Sequence, residues 1–460
     1  MRLPQHTAAL QDRRTRLAEK LGTQPALFAS GFPRPRNYAA NAFEFRANSH
    51  FLYLFGVPHP DAWGLYDGQA WRLYLPEPGP DDALWEGEVP SFATLSGAAG
   101  VPVRPLGELE AALKGRSVAA LPTPDLETCE RLGRLLGREV RPGKLGEVDV
   151  GLAEAMIALR LRHDEAAVAE LRLAAEATDA AHRAGMRATR PGLGEAQVRA
   201  VMEAEFLARD LCAAYSPIVT VHGEVLHNHQ YHHRLEAKDM LLADVGAESP
   251  GGFAGDVTRT WPVSGTFSTP QRELYEVVLR SQKDAIAAVK PGTRYRDVHL
   301  TAHRTLARGL VELGVLRGDA DELVADGVTA LLFPHGVGHL LGLDVHDMED
   351  LGDRAGYAPG RTRTKEFGHR FLRLDRDLVP GMAVTIEPGL YLVPAILQNA
   401  ELRGRAGDRV VDSRLKDFMD VRGIRIEDDV LVTDAGCEVL TARIPKEVRD
   451  VEAVMAEGRR

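Results

Sequence analysis

The chain has 460 residues, 44% apolar and 27% charged, with a net charge of −10 and three cysteines. This length calls for two or three domains, because one core rarely grows past about 250–300 residues, and the composition excludes a disordered, collagenous or disulfide-stapled chain. The negative balance argues against a nucleic-acid partner, and no apolar run approaches the roughly 18–20 residues of a membrane span.

Cys129, Cys212 and Cys437 are scattered, which fits a reducing compartment. The opening stretch MRLPQHTAALQDRRTRLAEKLG lacks the apolar core of a signal peptide. A cytoplasmic protein is expected. Residues 1–22 read as a polar helix. FLYLFGV (51–57), WGLYDGQAWRLYLP (63–76) and SVAALPTP (117–124) read as strands, with Asp67-Gly68 as a hairpin turn. GELEAALKG (107–115) and LETCERLGRLLG (126–137) carry helical spacing. Together these predict a mixed α/β domain, with RPGKLGE (141–147) as the linker candidate. Residues 148–188 form an Ala-rich helical stretch with a break at 163–165, where Asp164 is the new N-cap. A domain boundary near 160 follows, giving domains 1–160 and 161–460.

The second part echoes itself. RPGLGEAQVRAVMEAEFLARDL begins at Arg190 and KPGTRYRDVHLTAHRTLARGL at Lys290, each with a basic residue, Pro-Gly, a short loop and an amphipathic helix. This fits a duplicated α/β unit with a site between its halves.

Four later segments concentrate acids and histidines. LLADVGAESPGGFAGDVTRTWPVSG (241–265) reads as two strands joined at 249–252. The hairpin can bring Asp244 beside Asp256, and adjacent carboxylates need a cation or a shared proton. FPHGVGHLLGLDVHD (333–347) carries His335, His339 and His346 among glycines that disfavour a helix, and it lacks the HExxH pattern of zinc proteases. VTIEPGLY (384–391) places Glu387 at a strand end. GIRIEDDVLVT (423–433) alternates, with Arg425 and Glu427 on one face. Taken singly, each acid has a bland reading as a salt bridge or a solvated edge. Taken together, two Asp, two Glu and one His form an oxygen-rich donor set that suits two Mn²⁺-like ions, a hydrolase design. The His-rich tract HGEVLHNHQYHH (222–233) has no spacing that defines a geometry, and a polar loop near the pocket mouth is expected.

AGDVTRT, HGVGHLLGLDVHD, TIEPGLY and GIRIEDDV, in this order, resemble motifs of the pita-bread metallopeptidases that act on Xaa-Pro bonds, aminopeptidase P and prolidase. FEFRANSHFLYLFGV (43–57) resembles the N-terminal domain of the same family. The resemblance implies an α/β chain with an N-terminal creatinase/aminopeptidase P-like domain before a duplicated pita-bread catalytic domain. It also implies metal ligands Asp244, Asp256, His339, Glu387 and Glu427, holding two divalent ions: Mn²⁺, with Co²⁺ or Zn²⁺ as substitutes. Asp256 and Glu427 would bridge the ions, and Glu387 would carry the proton. His227 and His346 would steady the reacting oxygen, His335 would line the proline pocket, and Arg425 would orient the acids. Proline-containing peptides are the expected substrates and a homo-oligomer, dimer or tetramer, the expected assembly.

Three departures bear on activity. The Asp244–Asp256 interval is one residue longer than the usual family spacing. The segment between Glu387 and Glu427 is long, as in eukaryotic prolidases. Arg373 stands where prolidases carry an arginine for the dipeptide carboxylate. Aminopeptidase P is ranked ahead of prolidase, and a peptide-binding protein without catalysis is the more distant alternative.

Overall fold

The computed structural model describes residues 5–79, 81–85 and 87–459. It divides into two compact units, Met1–Ala166 with Met348–Ala355, and Ala167–Asp347 with Gly356–Arg460.

In the first unit, the helix Thr7–Leu21 occupies most of the stretch expected to be helical, whose residues 1–4 lie outside the described residues. A five-stranded sheet follows, in the order Val103–Pro105, Trp71–Leu75, Trp63–Tyr66, Ala26–Ala29, Ala119–Ala120. Its outer pairs are parallel and its inner pairs antiparallel. Asp67 closes the hairpin by accepting the Gln69 and Ala70 N–H groups on Oδ1 at 3.0 and 2.9 Å. Leu27, Trp63, Leu65 and Ala120 meet Leu109, Leu113, Cys129 and Leu132 of the covering helices in one core. The late segment Met348–Ala355 joins this unit through polar contacts: Asp350 Oδ2 lies 3.1 Å from His50 Nε2, and His50 Nδ1 lies 3.0 Å from Arg160 Nη1.

Two expectations are corrected here. FLYLFGV lies in a helix, Ser49–Phe55, not a strand. Asn48 caps it by accepting the His50 N–H at 3.0 Å, and Gly56, at φ 63°, ends it. Six of its seven residues are buried, and a run that is apolar on every side has no period to separate helix from strand. SVAALPTP contributes only Ala119–Ala120, because Pro122 and Pro124 remove ladder donors.

In the second unit, the helices Glu165–Ala188 and Glu195–Leu207 precede the sheet Thr258–Pro262, Met240–Asp244, Ile218–Thr220. The helices Thr269–Ala288 and Tyr295–Glu312 precede the sheet Ala383–Ile386, Asp428–Val432, Cys437–Val439. The repeat is visible bond by bond. Gly192 N–H donates to Leu235 O at 2.9 Å and Leu235 N–H to Leu193 O at 2.8 Å; Gly292 N–H donates to Leu378 O and Leu378 N–H to Thr293 O, both at 2.8 Å. Gly192 and Gly292 hold φ of 90° and 83°, a region that glycine enters without steric cost.

GIRIEDDVLVT is not one continuous strand. It breaks at Ile426–Glu427 into Gly423–Arg425 and Asp428–Val432, which pair with different partners. Both of its faces are buried. The face carrying Arg425 and Glu427 is polar because it lines a site, not because it meets solvent.

Candidate metal centre

The acids converge because strand ends converge. Asp244 ends its strand in register with Thr258, and Asp256 stands two residues before that Thr, ahead of the strand. Ile386 is in register with Asp428, so the antiparallel pair places Glu387 across from Glu427. The Glu427 N–H donates to Thr258 O at 3.0 Å, joining the two halves beside the site.

His339 arrives on an extended segment laid along Ala383–Ile386. Leu341 N–H donates to Ala383 O at 3.0 Å, Thr385 N–H to His339 O at 3.0 Å and Glu387 N–H to Val337 O at 2.8 Å. This closeness requires Gly338, where a Cβ would stand 2.1 Å from Thr385 O. His339 Nε2 lies 3.3 Å from Asp256 Oδ2 and 3.5 Å from Glu387 Oε1. Donor atoms of Asp256, His339 and Glu427 all lie within 4.8 Å of one another.

Arg425 holds Asp244 Oδ2 through Nη2 at 2.6 Å, Thr258 Oγ1 through Nε at 2.8 Å and Tyr391 Oη through Nη1 at 3.2 Å. Thr258 Oγ1 in turn donates to Glu427 Oε2 at 2.6 Å, and Tyr215 Oη donates to Asp244 Oδ1 at 2.6 Å. Tyr391 Oη lies 2.8 Å from His335 Nε2, while His335 Nδ1 bonds Gly336 O at 2.8 Å. The His346 ring packs edge-on to His339 at 4.3 Å.

Four carboxylates thus share one guanidinium and one imidazole. Burial, with the neighbouring acids adding to it, pushes Asp256 up, Glu427 well up and Glu387 up to about 7. Burial pulls the His339 ring down, but the hydrogen bond to Asp256 and the charge of Glu387 outweigh it and raise the ring. Such a site lacks positive charge. Oxygen donors with one imidazole and no thiolate fit hard or borderline divalent ions, which would supply that charge.

The model of metallopeptidase family M24 matches residues 169–434, and that of the aminopeptidase P N-terminal domain matches residues 10–120. The chain belongs to metallopeptidase family M24. It is 35% identical over 424 residues to a protein named probable Xaa-Pro aminopeptidase from Fusarium vanettenii, spanning 90% of this chain and 88% of that one. It is 31% identical over 468 residues to the Xaa-Pro dipeptidase of Homo sapiens, spanning 96% and 92%. The aminopeptidase PepP structure of Pseudomonas aeruginosa superposes with a TM-score of 0.83 at 30% identity, covering all of both chains.

The remaining expected residues of this M24 chain gather around the same acids. His335 is held neutral down to about 3 and His346 to about 2, first by burial and then by neighbouring positive groups, Arg373 among them. His227 is exposed as a whole residue, but its ring is partly buried, and that burial and Arg425 lower its pKa against the pull of Asp244. Arg373 is half-buried, and its charge acts on His227, His335 and His346 alike. The His-rich tract forms polar contacts: His222 Nδ1 lies 3.0 Å from Glu224 Oε1, and His233 Nδ1 lies 3.0 Å from the buried Glu195. Sequence reading missed Tyr215, Tyr391 and Thr258. Thr258 and Tyr391 lie inside motifs already quoted, whereas nothing around Tyr215 marks it.

Proposed function

We propose that this chain is a dinuclear metal-dependent Xaa-Pro aminopeptidase, hydrolysing the bond between an N-terminal residue and a following proline. The observation that carries the reading is the convergence of Asp244, Asp256, His339, Glu387 and Glu427 at strand ends around Arg425. The names of the relatives supply the Xaa-Pro class.

In this reading the five residues hold two divalent ions, Mn²⁺ first, with Co²⁺ or Zn²⁺ as substitutes. When bound, the ions polarise a carbonyl and acidify water. Glu387, whose side chain is the least buried of the four acids, takes a proton from the attacking water and returns one to the leaving proline nitrogen. His346 and His227 donate to the oxygen on which charge develops. His335, tied to Tyr391 and Gly336, presents a neutral ring face to the proline. Arg425 keeps Asp244 oriented. Domains 1–160 and 161–460, a cytoplasmic setting and a dimer or tetramer complete the proposal.

One observation favours a second reading, Xaa-Pro dipeptidase. Arg373 acts electrostatically on all three of these histidines, and only a dipeptide carries its carboxylate on the proline. A charge-assisted contact of this kind is worth about 1.5–3 kcal/mol, roughly ten- to hundredfold in kcat/KM. The test compares Xaa-Pro and Xaa-Pro-Yaa with added Mn²⁺, in wild type and Arg373→Ala. The aminopeptidase predicts that tripeptides are preferred and that the substitution barely moves that preference. A wild-type preference for dipeptides that collapses in the variant establishes the dipeptidase, and no Mn²⁺-dependent hydrolysis of either substrate removes both readings.

A further inference from the structure

A second cluster of possible metal ligands shares no residue with the acid-rich centre. His299 and His303 stand four residues apart on one face of the helix Tyr295–Glu312, and His369 opens a single turn, His369–Phe371. The first two are 1% and 0% exposed and the third is 9%. The three ring centroids form a near-equilateral triangle, with His299–His303 at 4.5 Å, His299–His369 at 5.1 Å and His303–His369 at 5.2 Å. One nitrogen from each ring lies within 4.8 Å of the other two.

The hydrogen bonds do not satisfy this cluster. His299 Nε2 and His369 Nδ1 share one bond at 2.9 Å. His303 Nδ1 bonds Thr329 Oγ1 at 2.8 Å, and its buried Nε2 has no partner; neither does His299 Nδ1. A buried polar atom left unpaired costs about 1–3 kcal/mol, and such atoms call for an explanation in a native core. A cation among the rings would give His303 Nε2 a partner and replace the shared bond with two coordinate bonds.

The surroundings suit such an ion. Burial lowers all three rings, well below 6.5 for His299 and His303 and against the pull of Glu366 for His369, so they are neutral and offer lone pairs. Thr329 Oγ1 can accept the Nδ1–H of His303, which fixes the tautomer that leaves Nε2 free to coordinate. Phe333 stacks on His303 at 4.4 Å and shields it from competing water. His369 borders a cavity of about 120 Å³ together with Glu366 and Phe367, and the Glu366 charge acts on His369. A water or the Glu366 carboxylate can fill the fourth position there.

We propose that His299, His303 and His369 form a three-histidine site for one Zn²⁺-class ion, separate from the acid-rich centre. Three imidazoles with an open fourth position suit Zn²⁺ or Co²⁺; the hard ions Mg²⁺ and Ca²⁺ prefer oxygen donors. The ion would tie the turn at His369 to the helix, four residues before Arg373.

The test counts bound zinc per chain after equilibration with micromolar Zn²⁺ and removal of free metal, in wild type, His303→Leu, His369→Gln and Asp256→Ala. Wild type should exceed both histidine variants by one equivalent, and Asp256→Ala should retain that equivalent. In Asp256→Ala loaded with Co²⁺, the visible spectrum of a nitrogen-ligated tetrahedral ion should appear, and adding His369→Gln should abolish it. His369 lies at the edge of the core, so this variant guards against a loss caused by misfolding at His303. Equal zinc content in wild type and His369→Gln overturns the proposal. The count does not depend on peptide hydrolysis, so it stands or falls separately from the peptidase reading.

Discussion

His182 shows how a residue outside the donor set shapes it. Its buried Nε2 lies 3.0 Å from Val245 O and 3.1 Å from Val257 O, the carbonyls that follow Asp244 and Asp256. The Nε2–H therefore ties together the two backbone segments that present these acids. Burial, followed by the charge of Arg259, lowers its pKa to about 4. The unfolded ring titrates near 6.5, so below that pH the unfolded chain takes up a proton that the folded chain refuses. Stability then falls as pH drops from about 6.5 toward 4, by about 3 kcal/mol in total. Measured by urea unfolding without added metal, wild type should lose this increment relative to His182→Gln over that window. A constant difference between the two proteins across it would show that the ring is not held neutral. Gly338 acts through space instead of charge. In Gly338→Ala the Cβ would press on Thr385 O at 2.1 Å and Tyr295 Oη at 2.3 Å, at a cost of about 1–3 kcal/mol. Denaturation should register that loss together with weaker Mn²⁺ retention, since His339 is the next residue. Retention equal to wild type would separate the glycine from the site.

At the scale of elements, the strand Asp428–Val432 is held behind the site by a buried ion pair. Asp428 Oδ1 accepts from Arg259 Nη2 at 2.7 Å and from Thr441 Oγ1 at 2.8 Å, and its Oδ2 accepts from Gln282 Nε2 at 2.7 Å and from Lys446 Nζ. Burial alone would raise this carboxyl, yet Arg259 and Lys446 bring it down to about 2. Arg259 also donates to Glu427 O and, at 3.0 Å each, to Pro445 O and Ile444 O. Removing Arg259 leaves Lys446 as the one charged partner of the buried Asp428 and takes a donor from the carbonyls of Glu427, Ile444 and Pro445. Arg259→Met should therefore cost about 3–5 kcal/mol by chemical denaturation. The double variant Arg259→Met/Asp428→Asn should recover part of that loss, and no recovery would mean that packing, not charge, sets the cost. Element boundaries were legible where local chemistry marks them: Asp125 and Gly137 bracket the helix Leu126–Leu136 as its spacing predicts. They were not legible at Ser49–Phe55, where burial on all sides removes the period, nor at Glu427, where the chain leaves one strand partner for another.

For the whole molecule, metal and folding are linked. Ions that bind only the folded chain stabilise it by RT ln(1 + [L]/Kd), about 2.7 kcal/mol at a hundredfold excess over Kd. Dialysis against a chelator should lower the Tm by several degrees, and Mn²⁺ should restore it in wild type but not in Asp256→Ala. A Tm indifferent to chelator and Mn²⁺ would count against an ion at this centre.

The sequence by itself determined the donor types, their order and the repeated Pro-Gly turn before two helices, because each is a local pattern of residues along the chain. It also carried the family, since four motifs in one order are improbable without common descent. Tertiary structure alone decided which side chains meet. Tyr215 reaches Asp244 across 29 residues and Arg425 reaches it across 181, and His369 joins His299 across 70. No local period encodes such pairs. They exist because strand register and helix packing bring distant segments together, and because buried polar groups must then find partners among whatever the fold has placed beside them.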